Sequence, residues 1–182
     1  MSQSSDNSNN TPVIKCESVY KIFGNNALKL LENSNGQVDA KTFQEAGCIV
    51  GVNNASFGVK KGEMMVVMGL SGSGKSTLLR CISRLTDATA GKIFIDGEDL
   101  LSMNSKQLIE LRRNKMGMVF QSFALLPHKT VIENIAFPLQ VKGTNTRESM
   151  AKALEMVELV GLKGRENYFP RELSGGQQQR VG

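Results

Sequence analysis

The stretch GLSGSGKST occupies residues 69–77 and decides how the rest of the chain is interpreted. Its glycines allow the backbone to close into a tight loop, and successive backbone N–H groups on such a loop point inward together. A helix that starts at the end of the loop adds the positive end of its dipole at the same place. The stretch therefore predicts a preorganised site for concentrated negative charge.

The sequence on both sides of the loop fits such a site. Residues 64–68 form a short continuous apolar run, typical of a strand buried on both faces of a mostly parallel sheet. After the loop, Leu78, Ile82 and Leu85 recur at helical spacing. A strand, a loop of the pattern G-x-x-x-x-G-K-[ST] and a helix, in this order, make up the Walker A arrangement that binds the phosphates of a nucleoside triphosphate.

Several residues of the loop have a defined chemical role in that arrangement. Lys75 supplies a cation to the β and γ phosphates, and the Ser76 hydroxyl is a hard oxygen ligand suited to Mg²⁺. The alternative is a Gly/Ser loop entering a helix that happens to contain a lysine, and the order of the flanking elements argues against it. The predicted phosphate-binding residues are Gly69, Leu70, Ser71, Gly72, Ser73, Gly74, Lys75, Ser76 and Thr77.

The composition of the 182-residue chain limits the remaining possibilities. The hydrophobic fraction of 40% and the charged fraction of 21% are those of a globular domain, and no apolar run approaches the length of a membrane span. Cys16, Cys48 and Cys81 fit neither a disulfide framework nor a zinc site, which favours a reducing compartment. The net charge of +5 comes from basic residues scattered among acids, so no nucleic acid is expected as a partner.

The chain divides into a polar tail and one α/β domain. Residues 1–11 are almost all Ser, Asn, Gln and Asp, which predicts a disordered tail, and residues 12–182 alternate strand and helix patterns. Residues 25–50 contain two short helical patterns and are predicted to form an insertion carried on the sheet. Strands are predicted over residues 13–19, 52–59, 64–68, 93–95 and 116–120, and further helices over 104–113, 130–136 (ended by Pro138) and 150–160.

A second glycine-containing motif follows Leu173 and consists of Ser174, Gly175, Gly176 and Gln177. A Ser-Gly-Gly sequence that opens a helix is another anion site, by the same dipole argument. On its own the motif is equally consistent with an ordinary N-cap at Ser174. Together with residues 69–77, it resembles the signature sequence of ATP-binding-cassette (ABC) ATPases.

The resemblance to ABC ATPases covers about residues 13–182 and implies a fold and further site residues. The implied fold is α/β, a P-loop NTPase of ABC type, with a mostly parallel central sheet, an antiparallel β portion and a helical subdomain over about residues 121–176. Gln121 matches the family's Q-loop glutamine, which contacts Mg²⁺ and the attacking water, and is assigned with Lys75 to catalysis. Phe23 falls where the family has an aromatic residue that stacks on adenine, and Tyr20 is the alternative candidate.

Two consequences of the resemblance concern what surrounds these residues. The apolar residues after Gln121, which are Phe123, Leu125 and Leu126, are expected either to contact membrane subunits or to pack in the core. In the family, the chain continues past the signature into the Walker B strand, the catalytic glutamate and the switch histidine. Residues 12–182 therefore resemble a partial ABC domain whose general base lies outside the sequence, and ATP hydrolysis is expected of the full-length protein.

Among ABC ATPases, the chain is similar to the ATP-binding subunits of glycine betaine/proline betaine importers. VYKIFG at residues 19–24, the insertion at 25–50 and VFQSFAL at 119–125 carry this similarity. It implies binding of ATP and Mg²⁺, and an ATP-dependent homodimer in which residues 174–177 of one subunit face the nucleotide of the other. It also implies transmembrane permease subunits, indirectly a substrate-binding protein, and a location on the cytoplasmic side of the cell membrane. The alternatives are a non-transport ABC ATPase and a nucleotide-binding chain without hydrolysis.

Overall fold

The computed structural model describes residues 11–182 of the chain. The predicted tail, residues 1–11, lies outside the described residues except for its last position. The described part divides into two compact units, one ending at Leu108 and the other spanning Ile109–Gly182. Each unit contains its own cluster of buried apolar side chains.

The first unit is built on a four-stranded sheet with the order β2-β1-β3-β4. Each neighbouring pair of strands is antiparallel, so the predicted antiparallel portion is formed. The bounds of the strands are Ile14–Phe23 for β1, Ile49–Val59 for β2, Ala90–Ile95 for β3 and Glu98–Asp99 for β4. The start of β1 is paired on both sides, with Ile14 opposite Val59 of β2 and Ile95 of β3, so β1 lies inside the sheet.

Residues 64–68, predicted as a strand of the parallel sheet, and residues 116–120, predicted as a further strand, are not strands in the structure described. The mostly parallel sheet is therefore not formed within residues 11–182. A strand requires ladder hydrogen bonds to a neighbouring strand, and apolar composition alone does not supply that neighbour. Met68 agrees with this finding, because its side chain is 85% exposed rather than enclosed between two helical layers.

The residues between β1 and β2 form two short helices, as predicted for the insertion. These helices are α1 (Ala27–Asn33) and α2 (Ala40–Glu45). Asp39 caps α2, since its Oδ2 accepts a hydrogen bond of 2.9 Å from Thr42 N, and bonds to Thr42 lower the pKa of Asp39. Side chains from β1 and from the insertion share one buried cluster, which consists of Tyr20, Ile22, Ala27, Leu31, Phe43 and Cys48.

Helix α3 (Lys75–Ile82) follows the glycine-containing loop and buries Leu78 and Cys81. The predicted apolar stripe extends to Leu85, but the helix ends earlier and Leu85 is exposed. The chain leaves the helix at Arg84, which has a left-handed backbone conformation with φ +50°. Its Nη1 donates to the carbonyl oxygens of Leu100 (3.0 Å) and Met103 (2.6 Å), which ties the end of α3 to the segment after β4.

Helix α4 (Ser105–Lys115) leads into the second unit, and the predicted cap at Asn104 is confirmed. Asn104 Oδ1 accepts from Gln107 N at 3.0 Å, and Asn104 N donates to Gln107 Oε1 at 2.9 Å. The later helices are α5 (Val131–Val141), α6 (Thr146–Leu159) and α7 (Gly175–Val181), with a 3₁₀ turn at Pro170–Glu172. Their buried cluster consists of Val131, Val157, Leu162 and Leu173.

Helix α5 differs from the sequence prediction because it continues through Pro138. Proline has no N–H to donate and costs about 3 kcal/mol inside a helix, so a break was the expectation. The helix nevertheless continues, and Lys142 N donates to Pro138 O at 3.1 Å in its last turn. Val131 and Ala136 are fully buried on α5, which packs against α6, and this packing outweighs the missing bond.

Replacing Phe43 by Ala tests the packing of the insertion on β1. Phe43 is 1% exposed, so Phe43→Ala is expected to lower the free energy of unfolding by about 3–5 kcal/mol. Leu28→Ala is the control, because Leu28 is 50% exposed on the same insertion and its loss is expected to cost less than about 0.5 kcal/mol. Urea titration of the purified chain measures both, and equal losses would contradict the packing described.

Candidate functional site

The loop at residues 69–77 is closed by two glycines in conformations that other residues rarely adopt. Gly72 and Gly74 have φ values of +79° and +90°. Ser73 N donates to Leu70 O at 3.2 Å across the turn, and α3 begins directly after Gly74. The backbone N–H groups at the start of α3 therefore adjoin the loop, as the sequence predicts.

The Lys75 side chain turns back into the loop that precedes it. Its Nζ donates to Gly69 O at 2.8 Å, to Leu70 O at 2.6 Å and to Ser73 Oγ at 3.4 Å. These contacts use the three donors of the ammonium group. The loop thus encircles the cation, and a phosphate oxygen that reaches Lys75 replaces one of these contacts, of which the bond to Ser73 is the longest.

Close approach to β2 fixes the position of the loop. A Cβ atom at Gly74 would lie 1.8 Å from Gly51 O, so the loop and the strand meet where neither carries a side chain. A Cβ atom at Gly51 would lie 2.9 Å from Phe23 Cε2 and 3.0 Å from Thr77 Cγ2. Gly51 is therefore the point where the loop, the start of α3 and the Phe23 ring come together.

Phe23 is the last residue of β1, and its ring is 44% exposed. The structure brings this ring near Thr77, because both border the position of a Cβ atom at Gly51. Lys21 Nζ lies 4.9 Å from the centroid of the ring. Sequence reasoning missed Lys21 and Gly51, although the spacing of two residues between Lys21 and Phe23 on a strand was a visible signal.

An open cleft of about 340 Å³ lies beside the loop in the first unit. Its volume falls within the range of small-molecule sites. The cleft is bordered by β2, by the segment before the loop and by the start of α3, and its lining includes Val52, Met68, Ser73, Lys75 and Leu78. Lys75 is therefore one of the residues that border this cleft, whose walls combine polar and apolar groups.

The protein side chains near the loop offer few metal ligands. Among residues 11–182, no group of three or more His, Cys, Asp and Glu side chains is placed to hold a metal ion. Ser76, in the first turn of α3, is exposed and carries a hydroxyl group. Mg²⁺ is usually held by one or two protein oxygens together with substrate phosphates, and the Ser76 hydroxyl is an oxygen ligand of the kind that it accepts.

In the second unit, Gln121 lies in an exposed turn rather than at the end of a strand. Phe123 N donates to Phe120 O at 3.2 Å across this turn, and Phe123 and Ala124 have positive φ values of +63° and +51°. Phe123, Leu125 and Leu126 are all half-buried. This intermediate burial is compatible both with packing in the core and with contact to another subunit.

Asn134 of α5 holds the loop that follows this turn. Its Oδ1 accepts from Leu126 N at 2.7 Å, and its Nδ2 lies within hydrogen-bond distance of Leu126 O (3.2 Å), Lys129 O (3.0 Å) and Thr130 O (2.9 Å). The loop ends at a capping interaction in which Thr130 N donates to Glu133 Oε2 at 2.7 Å, and the bonds to Thr130 lower the pKa of Glu133. Sequence reasoning missed Asn134, although a polar residue within the apolar residues of α5 was a signal.

The second glycine motif begins α7. Ser174 N donates to Gln177 Oε1 at 2.9 Å, so Ser174 occupies an N-cap position, as one interpretation of the sequence has it. Leu173 is buried, whereas Gly175 and Gly176 are exposed and have open space around the position of a Cβ atom. The buried Leu173 therefore precedes a helix start whose two glycines are exposed. This exposure is compatible with the anion-site interpretation as well.

A family model described as ABC transporter matches residues 52–182. The chain belongs to the ABC transporter family. It is 82% identical over 171 residues to the trimethylamine N-oxide transport system ATP-binding protein TmoW of Pelagibacter ubique, covering 94% of this chain and 50% of that protein. It is 50% identical over 170 residues to the glycine betaine transport ATP-binding protein OpuAA of Bacillus subtilis, covering 93% of this chain and 41% of that protein. The chain therefore spans half or less of the length of these two relatives.

Solved structures of ABC cassettes share the fold. The dimeric ATP-binding cassette MJ0796 in a post-hydrolysis state bound to ADP and Pi superposes with a TM-score of 0.74 at 33% identity, covering 92% of this chain and 66% of that one. The predicted α/β P-loop fold of ABC type and the predicted similarity to importer ATP-binding subunits are confirmed. The sequence prediction did not include the relatives that are named for trimethylamine N-oxide.

The cysteines of this ABC cassette are core residues. Cys16, Cys48 and Cys81 are free and buried. Burial raises the pKa of Cys16 to about 11, with a smaller contribution from the nearby Cys81. Burial also raises the pKa of Cys81. Burial therefore disfavours the thiolate form of both side chains. Within the described range of the cassette, no helix is long and apolar enough to cross a bilayer.

Substituting the two loop glycines separates steric contact from backbone strain. Gly72→Ala meets no atom within 4 Å and is expected to cost about 1–2 kcal/mol from its left-handed conformation alone. Gly74→Ala carries a similar strain and also places a Cβ atom against Gly51 O, so we expect a loss at least about 2 kcal/mol larger. Chemical denaturation measures both values, and equal losses would show that the loop does not lie on β2.

Proposed function

We propose that this chain is the nucleotide-binding part of an importer ATPase, which holds the triphosphate of ATP on residues 69–77. In the complete protein, ATP hydrolysis at this site drives the uptake of a small trimethylated amine. The observation that carries the proposal is the encircled Lys75 ammonium at the start of α3. Neutral backbone groups fix a cation there, beside the N–H groups of the first helical turn, and concentrated negative charge is the ligand that fits.

Three groups of donors act on the phosphates in this proposal. The backbone N–H groups of the loop and of the first turn of α3 hold the phosphate oxygens, and the helix dipole favours their charge. Lys75 neutralises the β and γ phosphates after exchanging its contact with Ser73. Because these groups are placed before the ligand arrives, little reorganisation is needed as charge develops on the leaving phosphate.

The orientation of the nucleotide follows from the position of Phe23. The ring and the Thr77 methyl group border the same point on β2, so a base stacked on Phe23 extends its phosphates toward the start of α3. Thr77 then lies nearest the α phosphate, and Lys75 lies farther along the chain of phosphates. An exposed ring face suits an aromatic base, since offset stacking of two rings is favourable.

Ser76 and Gln121 are the residues proposed for metal binding and catalysis. Ser76 would hold the Mg²⁺ ion that accompanies the triphosphate. From the family resemblance, Gln121 is proposed as a residue that would contact Mg²⁺ and orient the attacking water. Bound Mg²⁺ supplies neutralisation of the phosphate charge. Ser76 is exposed in the first turn of α3 and Gln121 is exposed in its turn, so both side chains are accessible to a ligand.

The exposed start of α7 supports a paired assembly. We propose that Ser174, Gly175, Gly176 and Gln177 of one subunit contact the nucleotide held by a second subunit, in a homodimer with two equivalent sites. The solved relative MJ0796 is described as dimeric. The dimer is proposed to bind transmembrane permease subunits on the cytoplasmic face of the membrane, and these subunits receive solute from a binding protein.

The relatives support the choice of the transported solute. TmoW of Pelagibacter ubique is named for trimethylamine N-oxide, and OpuAA for glycine betaine. Both solutes carry a nitrogen with three methyl groups and no net charge. The identity of 82% to TmoW, against 50% to OpuAA, favours trimethylamine N-oxide as the solute of the proposed importer.

Changing Lys75 to Ala tests the phosphate site directly. The variant loses charge-assisted bonds to phosphate, so we expect binding of ATP to weaken by at least about tenfold. Lys29→Ala is the matched control, because it removes the same charge from an exposed position on α1 and leaves the loop intact. Isothermal titration of the purified chain with ATP and Mg²⁺ measures both affinities, and an unchanged affinity in Lys75→Ala would reject the site.

A bulky substitution at Ser174 tests the role of the second subunit. In the protein expressed from its complete reading frame, Ser174→Arg is expected to abolish ATP turnover while leaving ATP binding intact, because the residue acts on a nucleotide held by the other copy. Thr146→Arg, at an exposed position on α6, controls for the added charge. Phosphate release and nucleotide titration give the two readouts. Normal turnover in Ser174→Arg would remove this motif from the site.

A further inference from the structure

A lysine lies over the aromatic ring that adjoins the loop. Lys21 and Phe23 are two residues apart on β1, and Lys21 Nζ lies 4.9 Å from the centroid of the Phe23 ring. Among residues 11–182, no carboxylate forms an ion pair with Lys21. The described contact of this ammonium is therefore with the face of the ring, at the distance of a cation–π interaction.

The surroundings keep this pair in place. Lys21 is half-buried and pairs with Val52 of β2, while Phe23 pairs with Ile49 near the start of the same strand. Gly51 lies between these positions, and its missing side chain allows the ring to approach β2. Burial raises the pKa of Cys81 on α3, and the positive charge of Lys21 partly offsets that rise.

A cation on one face of a phenyl ring changes how its exposed part stacks. The ammonium draws π electron density toward itself, so the other face repels the π electrons of a second ring less strongly. Stacking then favours an electron-rich base such as a purine. The contact also holds the ring at one angle, which reduces the entropy that is lost when a base binds.

We propose that Lys21 is a positioning residue for the purine base, acting through the Phe23 ring rather than on the phosphates. This inference rests on the proposed function, in which Phe23 stacks on the base of the bound nucleotide. Lys21 and Phe23 then form one recognition unit at the end of β1. Its contribution is limited to the base and is absent from ligands that consist of phosphate alone.

The experiment compares a ligand with a base and a ligand without one. The purified chain is titrated calorimetrically with ATP and with inorganic tripolyphosphate, each with Mg²⁺. Lys21→Met is expected to weaken ATP binding about two- to fivefold and to leave tripolyphosphate binding unchanged. Lys21→Arg keeps the cation over the ring and is expected to restore ATP affinity. Lys15→Met, which removes a half-exposed cation from the same strand, serves as the control.

A double-mutant cycle shows whether Lys21 acts through the ring. In a Phe23→Leu background, Lys21→Met is expected to have no further effect on ATP affinity. The inference is overturned if Lys21→Met weakens tripolyphosphate binding equally, if its effect persists without the ring, or if ATP affinity does not change. Thermal melting checks that each variant is folded, and Lys21→Gln replaces Lys21→Met if that variant is not.

Failure of the inference and failure of the proposed function give different results. Should the unsubstituted chain bind neither ATP nor tripolyphosphate, the phosphate site itself is wrong, and the inference is overturned with it. Should it bind both ligands equally well and show no loss of ATP affinity in Phe23→Leu, the phosphate site stands. In that case stacking on Phe23, and with it the role of Lys21, is rejected.

Discussion

The backbone contact between Gly74 and Gly51 is the constraint on which the site depends. A Cβ atom at Gly74 would lie 1.8 Å from Gly51 O, so the loop reaches β2 only because both positions lack side chains. This contact places the start of α3 against the sheet, and the Phe23 ring and Thr77 border the same glycine. One close approach therefore sets the loop at residues 69–77 and the Phe23 ring at a fixed spacing.

The sequence predicts those parts whose stabilising contacts are local. The loop before α3, the Asn104 cap and the two helices of the insertion follow from short-range spacing, and the structure confirms them. Residues 64–68 and 116–120 have the composition of strands, but strand formation requires a hydrogen-bonded neighbour far away in sequence. Pro138 shows the same limit, because packing of α5 on α6 outweighs a local rule.

The sequence offers the motifs of the candidate site but not the residues that support them. Residues 69–77 are recognisable because their chemistry requires particular residue types at a fixed spacing. Gly51, Lys21 and Asn134 act through contacts with residues that are brought to them by strand pairing or by a helix, so no pattern of spacing alone assigns their roles. Functional motifs are therefore easier to predict than the residues that hold them in position.

The Asn134 amide group has a mechanical consequence for the segment after Gln121. One side chain takes part in bonds to backbone groups of three residues, Leu126, Lys129 and Thr130, and it belongs to α5. Bending the segment independently of the helix requires breaking several of these bonds at once. The segment at residues 126–130 and α5 are therefore expected to move together when a force acts on the segment.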